Sequence, residues 1–299
     1  ATERLFDVSR DGFRHRLDEE EAADGVRAPD TLNWIAIDPA LGTLPGVSLG
    51  RTGAVVTDAG VDIAFAGGAE GAPLAFLADM QTRNELDAAA LRMSRTADGA
   101  RIFVEEETSA DAETAHLAED AAWLAASPGI IEAVFTSEAG PVAPAGTWTR
   151  FGEVGVAVLS QPDRDAWTRI SFDTPFVDPI VVAGPPGFEG VQPGALQLRN
   201  VDATGFEVRF HEWAYLDGFH LDETFSWIAI ENGVHRVADG GTVMAGRTAA
   251  DHLERGLSFG ESFDAPPLVF AQIASDEDPD PATERLFDVS RDGFRHRLD

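Results

Sequence analysis

Ser275-Asp276-Glu277-Asp278-Pro279-Asp280 packs four carboxylates into five positions. Oxygen-rich loops of this kind bind Ca²⁺, with Asp276, Asp278 and Asp280 as the candidate ligands. The EF-hand spacing is absent and no Gly sits at a turn position, so a solvated acidic loop is the competing reading. Gly46-Val47-Ser48-Leu49-Gly50 has the G-x-S-x-G form of a hydrolase nucleophile elbow. That elbow needs a buried strand before it and a helix after it. Here Pro45 precedes and a Gly-rich, β-like stretch follows, which reads as a turn between modules. The seven His residues show no H-E-x-x-H spacing. His211 and His220 flank Trp213, where they either line a pocket or occupy half-exposed strand positions. With 52 carboxylates, acid–base pairs are available everywhere and diagnose nothing.

Composition narrows the classes. The formal net charge is −30, and all 22 basic residues are Arg. Such a surface repels nucleic-acid phosphates and anionic membranes, and suits a salt-rich or calcium-containing exterior where self-repulsion is screened. Without Cys there are no disulfides, thiolate nucleophiles or zinc–thiolate sites. Without Lys there is no Walker A lysine and no Schiff-base lysine. No apolar run approaches the ~20 residues that span a bilayer.

The elements that must position these residues come from repeats. ATERLFDVSRDGFRHRLD runs from Ala1 to Asp18 and again from Ala282 to Asp299. The period is 282 − 1 = 281 residues. Either the chain is one period of a tandem repeat with the start of the next, or its ends were made to overlap. Three stretches inside the period share one pattern. A third module spans 146–238 and contains Arg169–Gly184, Asp202–Trp213 and Phe225–Gly233. A module split across the repeat boundary begins in 240–299, with Leu257–Ile273, and ends in 1–45, with Arg10–Glu20 and Leu32–Gly42. A second, degenerate module covers 50–135 around Trp123. From Phe206 to Trp227 and from Phe13 to Trp34 is 21 residues in each case (227 − 206, 34 − 13). Short β-branched and aromatic runs bounded by Asp-Gly and Thr-Gly turns predict strands. The Ala-rich stretches at 84–95 and 108–127 have helical propensity; the module pattern is expected to override it at Trp123, which leaves a short helix around Asp111–Ala121 as an open alternative. Trp34, Trp123 and Trp227 hold equivalent positions and read as core.

The third module resembles an H-type lectin domain, the family of the snail agglutinins and discoidins. The residues that carry the resemblance are I-S-F-D-T-P-F-V-D-P-I-V-V, T-G-F-E-V-R-F-H-E-W and S-W-I-A-I-E-N-G, between Arg169 and Gly233. The resemblance implies a six-stranded antiparallel β-sandwich that assembles as a trimer and binds N-acetylgalactosamine-type sugars at the seams. One period would then fold as a covalent pseudo-trimer. It also implies sugar-binding roles for an aspartate before the first core strand, at Asp165 or Asp163, and for Trp213. Ala214 stands where the family has His, Arg199 is offset from the family's Arg, and Glu20 and Glu107 replace the aromatic ring in the other modules.

The fold class expected is therefore all-β, built of tandem antiparallel sandwiches. The function expected is non-enzymatic: an extracellular or cell-surface structural repeat, a bead of a filament or giant adhesin whose partners are copies of itself. A multivalent lectin for cell-surface glycans, using Asp165 and Trp213, is the alternative. Calcium is the one cofactor the residues suggest. Neither nucleic acid nor membrane insertion is expected.

Overall fold

A computed structural model describes residues 2–9, 12–19, 28–43, 46–65, 74–85, 87–96, 98–110, 112–134, 148–238, 240–251, 253, 255–278, 281–290 and 293–295. The protein is all-β, and the strand pairs of the described residues are antiparallel except for a short parallel pairing of Thr2 and Glu3 with Thr283 and Glu284. Among the described residues no helix is long and apolar enough to cross a membrane.

Each module has an inner sheet with its Trp strand in the centre. In the degenerate module the order is β4 (Val47–Arg51), β9 (Ala121–Ala126), β6 (Ala75–Met80). In the third it is β11 (Trp148–Gln161), β16 (His220–Glu231), β13 (Pro179–Ala183). In the split module it is β18 (Thr242–Ala250), β3 (Asp30–Ile37), β19 (Leu268–Ile273). Outer sheets cover the first two: β5 (Val61–Ala64), β8 (Gly99–Glu106), β7 (Ala89–Arg95), and β12 (Thr168–Ser171), β15 (Gly205–Glu212), β14 (Gly194–Asp202). The split module has β1 (Thr2–Ser9) and β2 (Gly12–Glu19) in that place, joined by β20 (Ala282–Ser290) and β21 (Gly293–Arg295).

Period-two alternation makes each Trp strand serve two cores. Trp34 and Ala36, Trp123 and Ala125, and Trp227 and Ala229 face the inside of their own sandwich. Ile35 and Ile37, Leu124 and Ala126, and Ile228 and Ile230 face the other way, into one apolar core shared by all three modules. The three inner sheets thus surround a common axis, as the pseudo-trimer expectation requires. Burying each such Ile or Leu stabilises by about 1.5–3 kcal/mol. Opposite every core Trp the first strand carries glycine: Gly50 faces Trp123, Gly155 faces Trp227 and Gly246 faces Trp34. A Cβ there would come within 3.1, 2.3 and 2.6 Å of the ring, so the indole occupies the space a side chain would need.

Three sequence expectations change. No short helix forms over 112–118, which is irregular; Ala121–Ala126 is a strand, as the module pattern at Trp123 requires, and so is Ala89–Arg95. Burial of Leu91, Met93, Leu124 and Ala125 between sheets outweighs alanine's helical propensity. Ser48 lies inside β4, paired with Ala125, where neither an elbow nor an inter-module turn exists. The strands after two of the Trp strands cross into the neighbouring module. β10 (Gly129–Val134) pairs with β11, and β17 (Gly233–Arg236) with β18. The boundaries near 135 and 238 therefore shift, because these connections extend the next sheet.

Candidate functional site: three seams around one axis

The edge strands β6, β13 and β19 would each expose unpaired backbone groups. At the same position of each, a side chain from the adjacent module reaches the backbone. Asn33 of the split module donates through Nδ2 to the Val181 carbonyl at 2.9 Å. Phe76 N–H donates to Ser226 Oγ of the third module at 2.9 Å. Gln81 of the degenerate module donates to the Val269 carbonyl at 2.8 Å and accepts from its N–H at 3.3 Å. These contacts run split to third, third to degenerate and degenerate to split, so they close a ring. Asp79 accepts from Ala271 N–H at 2.9 Å, and Gln272 donates to the Leu196 carbonyl at 2.8 Å. Burial drives the Asp79 pKa well above its ordinary value, against the opposing N–H groups of Ala271 and Met80.

Two of the modules carry a buried acid–base–acid triad beside a seam: Glu212–His220–Glu223 in the third module and Glu106–His116–Glu119 in the degenerate one. His220 Nδ1 lies 3.0 Å from Glu212 Oε1, and its Nε2 3.0 Å from Glu223 Oε1. Burial opposes charge on this imidazole, but the two carboxylates outweigh it and hold the pKa above the ordinary value. Burial pushes Glu223 up, yet His220, the N–H groups of Gly190 and Glu189, and Arg92 together hold it below the usual carboxylate value. His116 bonds Glu106 through Nδ1 and lies 3.3 Å from Glu119 through Nε2.

The second acid of each triad anchors the loop that follows the edge strand. Glu223 accepts from Glu189 and Gly190 N–H at 3.0 and 2.8 Å. Glu119 accepts from Asn84 N–H at 2.8 Å and from the Thr82 hydroxyl. Asp30, its counterpart in the split module, accepts from Ser275 Oγ at 2.6 Å and Glu277 N–H at 3.1 Å.

These loops receive the neighbouring module. Arg92 on β7, fully buried, donates to the Gly187 and Gly190 carbonyls at 2.7 and 3.1 Å. It also pairs with Glu105 at 2.6 Å and Glu223 at 2.9 Å, its guanidinium lying about 5 Å from the centres of the Phe188 and Phe210 rings. The corresponding residue on β14 is Gln197, which donates to the Ser275 carbonyl at 3.0 Å and accepts from Arg209. At the third seam, β1 packs beside β6 and β7.

The sequence-derived site residues fall into this frame. Asp276 sits in the third–split seam, 3.1 Å from Arg209 and 3.2 Å from Arg199, with both guanidiniums over the Trp167 ring. Asp278 accepts from Ala28 N–H at 2.8 Å. Asp280 lies outside the described residues, as does Glu20. The structure does not bring Asp276 and Asp278 onto a common partner: one faces arginines and the other a backbone amide. Asp165 is exposed, and its N–H bonds Asp163. Trp213 is only 1% exposed, so the proposed sugar platform has no open face. His211 and His220 are likewise buried rather than half-exposed. Glu107 is buried, and its carboxylate accepts from Ser109 N–H. Among the described residues, a group close enough to share an ion lies elsewhere: Glu85, Glu106 and His116 bring one ligand atom each within 4.8 Å of the others. An ion there would have to part the His116–Glu106 hydrogen bond.

Sequence reasoning missed the triads and Arg92, although spacing could have revealed the triads. Glu119, Glu223 and Asp30 each precede the core Trp by four residues, and His116, His220 and Arg27 by seven (for example 227 − 223 and 227 − 220). Gly50-Arg51-Thr52 and Gly246-Arg247-Thr248 mark the same strand in two modules.

No protein-family model matches the chain. No solved structure matches it. Among curated proteins, Halomucin of Haloquadratum walsbyi (strain DSM 16790 / HBSQ001) is 29% identical over 134 residues, covering 42% of this chain. The matched stretch spans 2% of Halomucin's length, so the similarity is to a small part of a far longer protein.

Proposed function

We propose that this chain is a non-enzymatic structural repeat outside the cell, a bead of a surface filament or giant adhesin built from H-type-lectin-like sandwiches. The observation that carries the reading is the split module: β3, near the start of the chain, lies hydrogen-bonded between β18 and β19, near its end. One bead is thus completed by strands from the two ends of a single period. β20 supports this, because it pairs with β2 in the register that β1 uses, Leu286 and Leu5 both opposite His15. β1 and β20 lie on the two edges of β2 at once, so the strand that would open the next period links beads through main-chain hydrogen bonds to β2. Similarity to Halomucin supports an extracellular or cell-surface place. The charge of −30 suits a salt-rich medium.

The denatured mass of the native polypeptide tests the reading. A mass several times one 281-residue period is expected; a mass near 31.9 kDa would overturn the tandem filament. Trp213, buried, gives the glycan-binding alternative no platform, and a glycan array showing saturable binding lost on Asp165→Ala would revive it.

A further inference from the structure

Where the three modules meet at one end of the axis there is a cavity of about 440 Å³. Its wall includes Ile37, Ala126 and Ile230, the equivalent last positions of the three Trp strands, together with Phe151. Two modules place isoleucine there and the degenerate one places alanine, so the missing side chain leaves room on the axis. Among the described residues the polar side chains of the lining, Ser127 and Glu132, stand at the exposed rim beside the half-exposed Ile130. Water in such a space finds few of the two to four polar partners it needs, so an apolar guest displaces it favourably. The volume falls in the range of small-molecule pockets, roughly 300–1,000 Å³.

We propose that this axial cavity binds an uncharged aliphatic chain, with its tail against Ile37, Ala126 and Ile230 and its head at the Ser127–Glu132 rim. The carboxylate of Glu132 and the net charge of −30 disfavour an anionic head group. The site is independent of the filament reading, since it needs only one closed bead.

The test titrates the whole chain with 1-decanol, following heat and melting temperature. One equivalent bound with a raised melting temperature is expected. Ala126→Ile, which restores the isoleucine of the other two modules, is expected to weaken binding about tenfold or more while leaving the ligand-free melting temperature equal or higher. Should Ala126→Ile misfold, Ala126→Val carries the same test with a smaller loss. Absence of saturable decanol binding overturns the site, as does unchanged affinity in a filled variant with a native circular-dichroism spectrum. Decanoate binding as tightly as decanol overturns the assignment of an uncharged head.

Discussion

The degenerate–third seam and the third–split seam use the same ring position in opposite ways. Arg92 enters the first as a buried cation held by two carboxylates and three carbonyls. Gln197 enters the second as a neutral amide that accepts from the buried Arg209, and the charges of Arg199 and Asp276 stay at a partly exposed rim. A buried charge is tolerated only when its partners are complete, and losing one partner leaves the others stranded. A neutral amide with rim ion pairs can lose a member and be compensated by water. The ring therefore has one brittle seam and one forgiving seam.

Breaking the brittle seam has the largest effect. Arg92→Ala leaves Glu223 and Glu105 without their shared cation and is expected to cost about 3–5 kcal/mol in denaturant unfolding. Hydrogen exchange at residues 187–192 should rise before the rest of the third module. A loss below about 1 kcal/mol would mean the buried pair contributes little beyond packing.

The Trp–glycine pairs sharpen the contrast between the same two modules. Gly155→Ala puts a methyl 2.3 Å from Trp227, and a loss near 3 kcal/mol is expected, the upper part of the overpacking range. Gly50→Ala, at 3.1 Å from Trp123, should cost about 1 kcal/mol or less in the same measurement.

His220→Gln probes the triad at about 2 kcal/mol, and its size depends on pH. The His220 pKa is raised in the folded state, so its stabilisation is complete below the unfolded value of 6.5 and fades as pH rises through the folded one. Glu223 has a lowered pKa, so its share is present above 4.5 and fades as pH falls through the folded value. The gap between wild type and His220→Gln should peak between these limits; a gap that grows from pH 7 to pH 9 contradicts a charged imidazole.

The smallest effect lies at the forgiving seam. Asp276→Asn should cost about 1 kcal/mol or less, and less still in high salt, as expected for partly exposed ion pairs. A loss as large as that of Arg92→Ala would erase the distinction between the seams.

How much of this was legible depends on how local the cause is. The alternation in Trp227-Ile228-Ala229-Ile230 already implies a strand with two apolar faces, and the repetition at Trp34 implies a second such module. The acid four residues before each core Trp was equally readable, but its meaning was not. Glu119, Glu223 and Asp30 become anchors only because residues 33 to 247 positions away in sequence bring their amides and hydroxyls to them. Trp213 shows the reverse: its place at the end of a strand matched a sugar site, and burial against the rest of the chain removed the open face. The Ala-rich stretch around Asp111 misled because propensity acts residue by residue, whereas burial between sheets acts on the whole element.

By itself, then, the sequence determined an all-β chain, an 18-residue segment that recurs 281 positions later, three stretches that share one pattern and an acidic composition without thiols or lysines. Each of these rests on composition, two-residue alternation or direct repetition, which need no long-range information. Only the tertiary structure decided that the three sandwiches close into a ring, that Arg92 locks one seam while Gln197 occupies the next, and that alanine at 126 opens a cavity on the axis. Those outcomes depend on which distant side chains arrive at the same place, and desolvation there sets how much each charge, amide or missing methyl group counts.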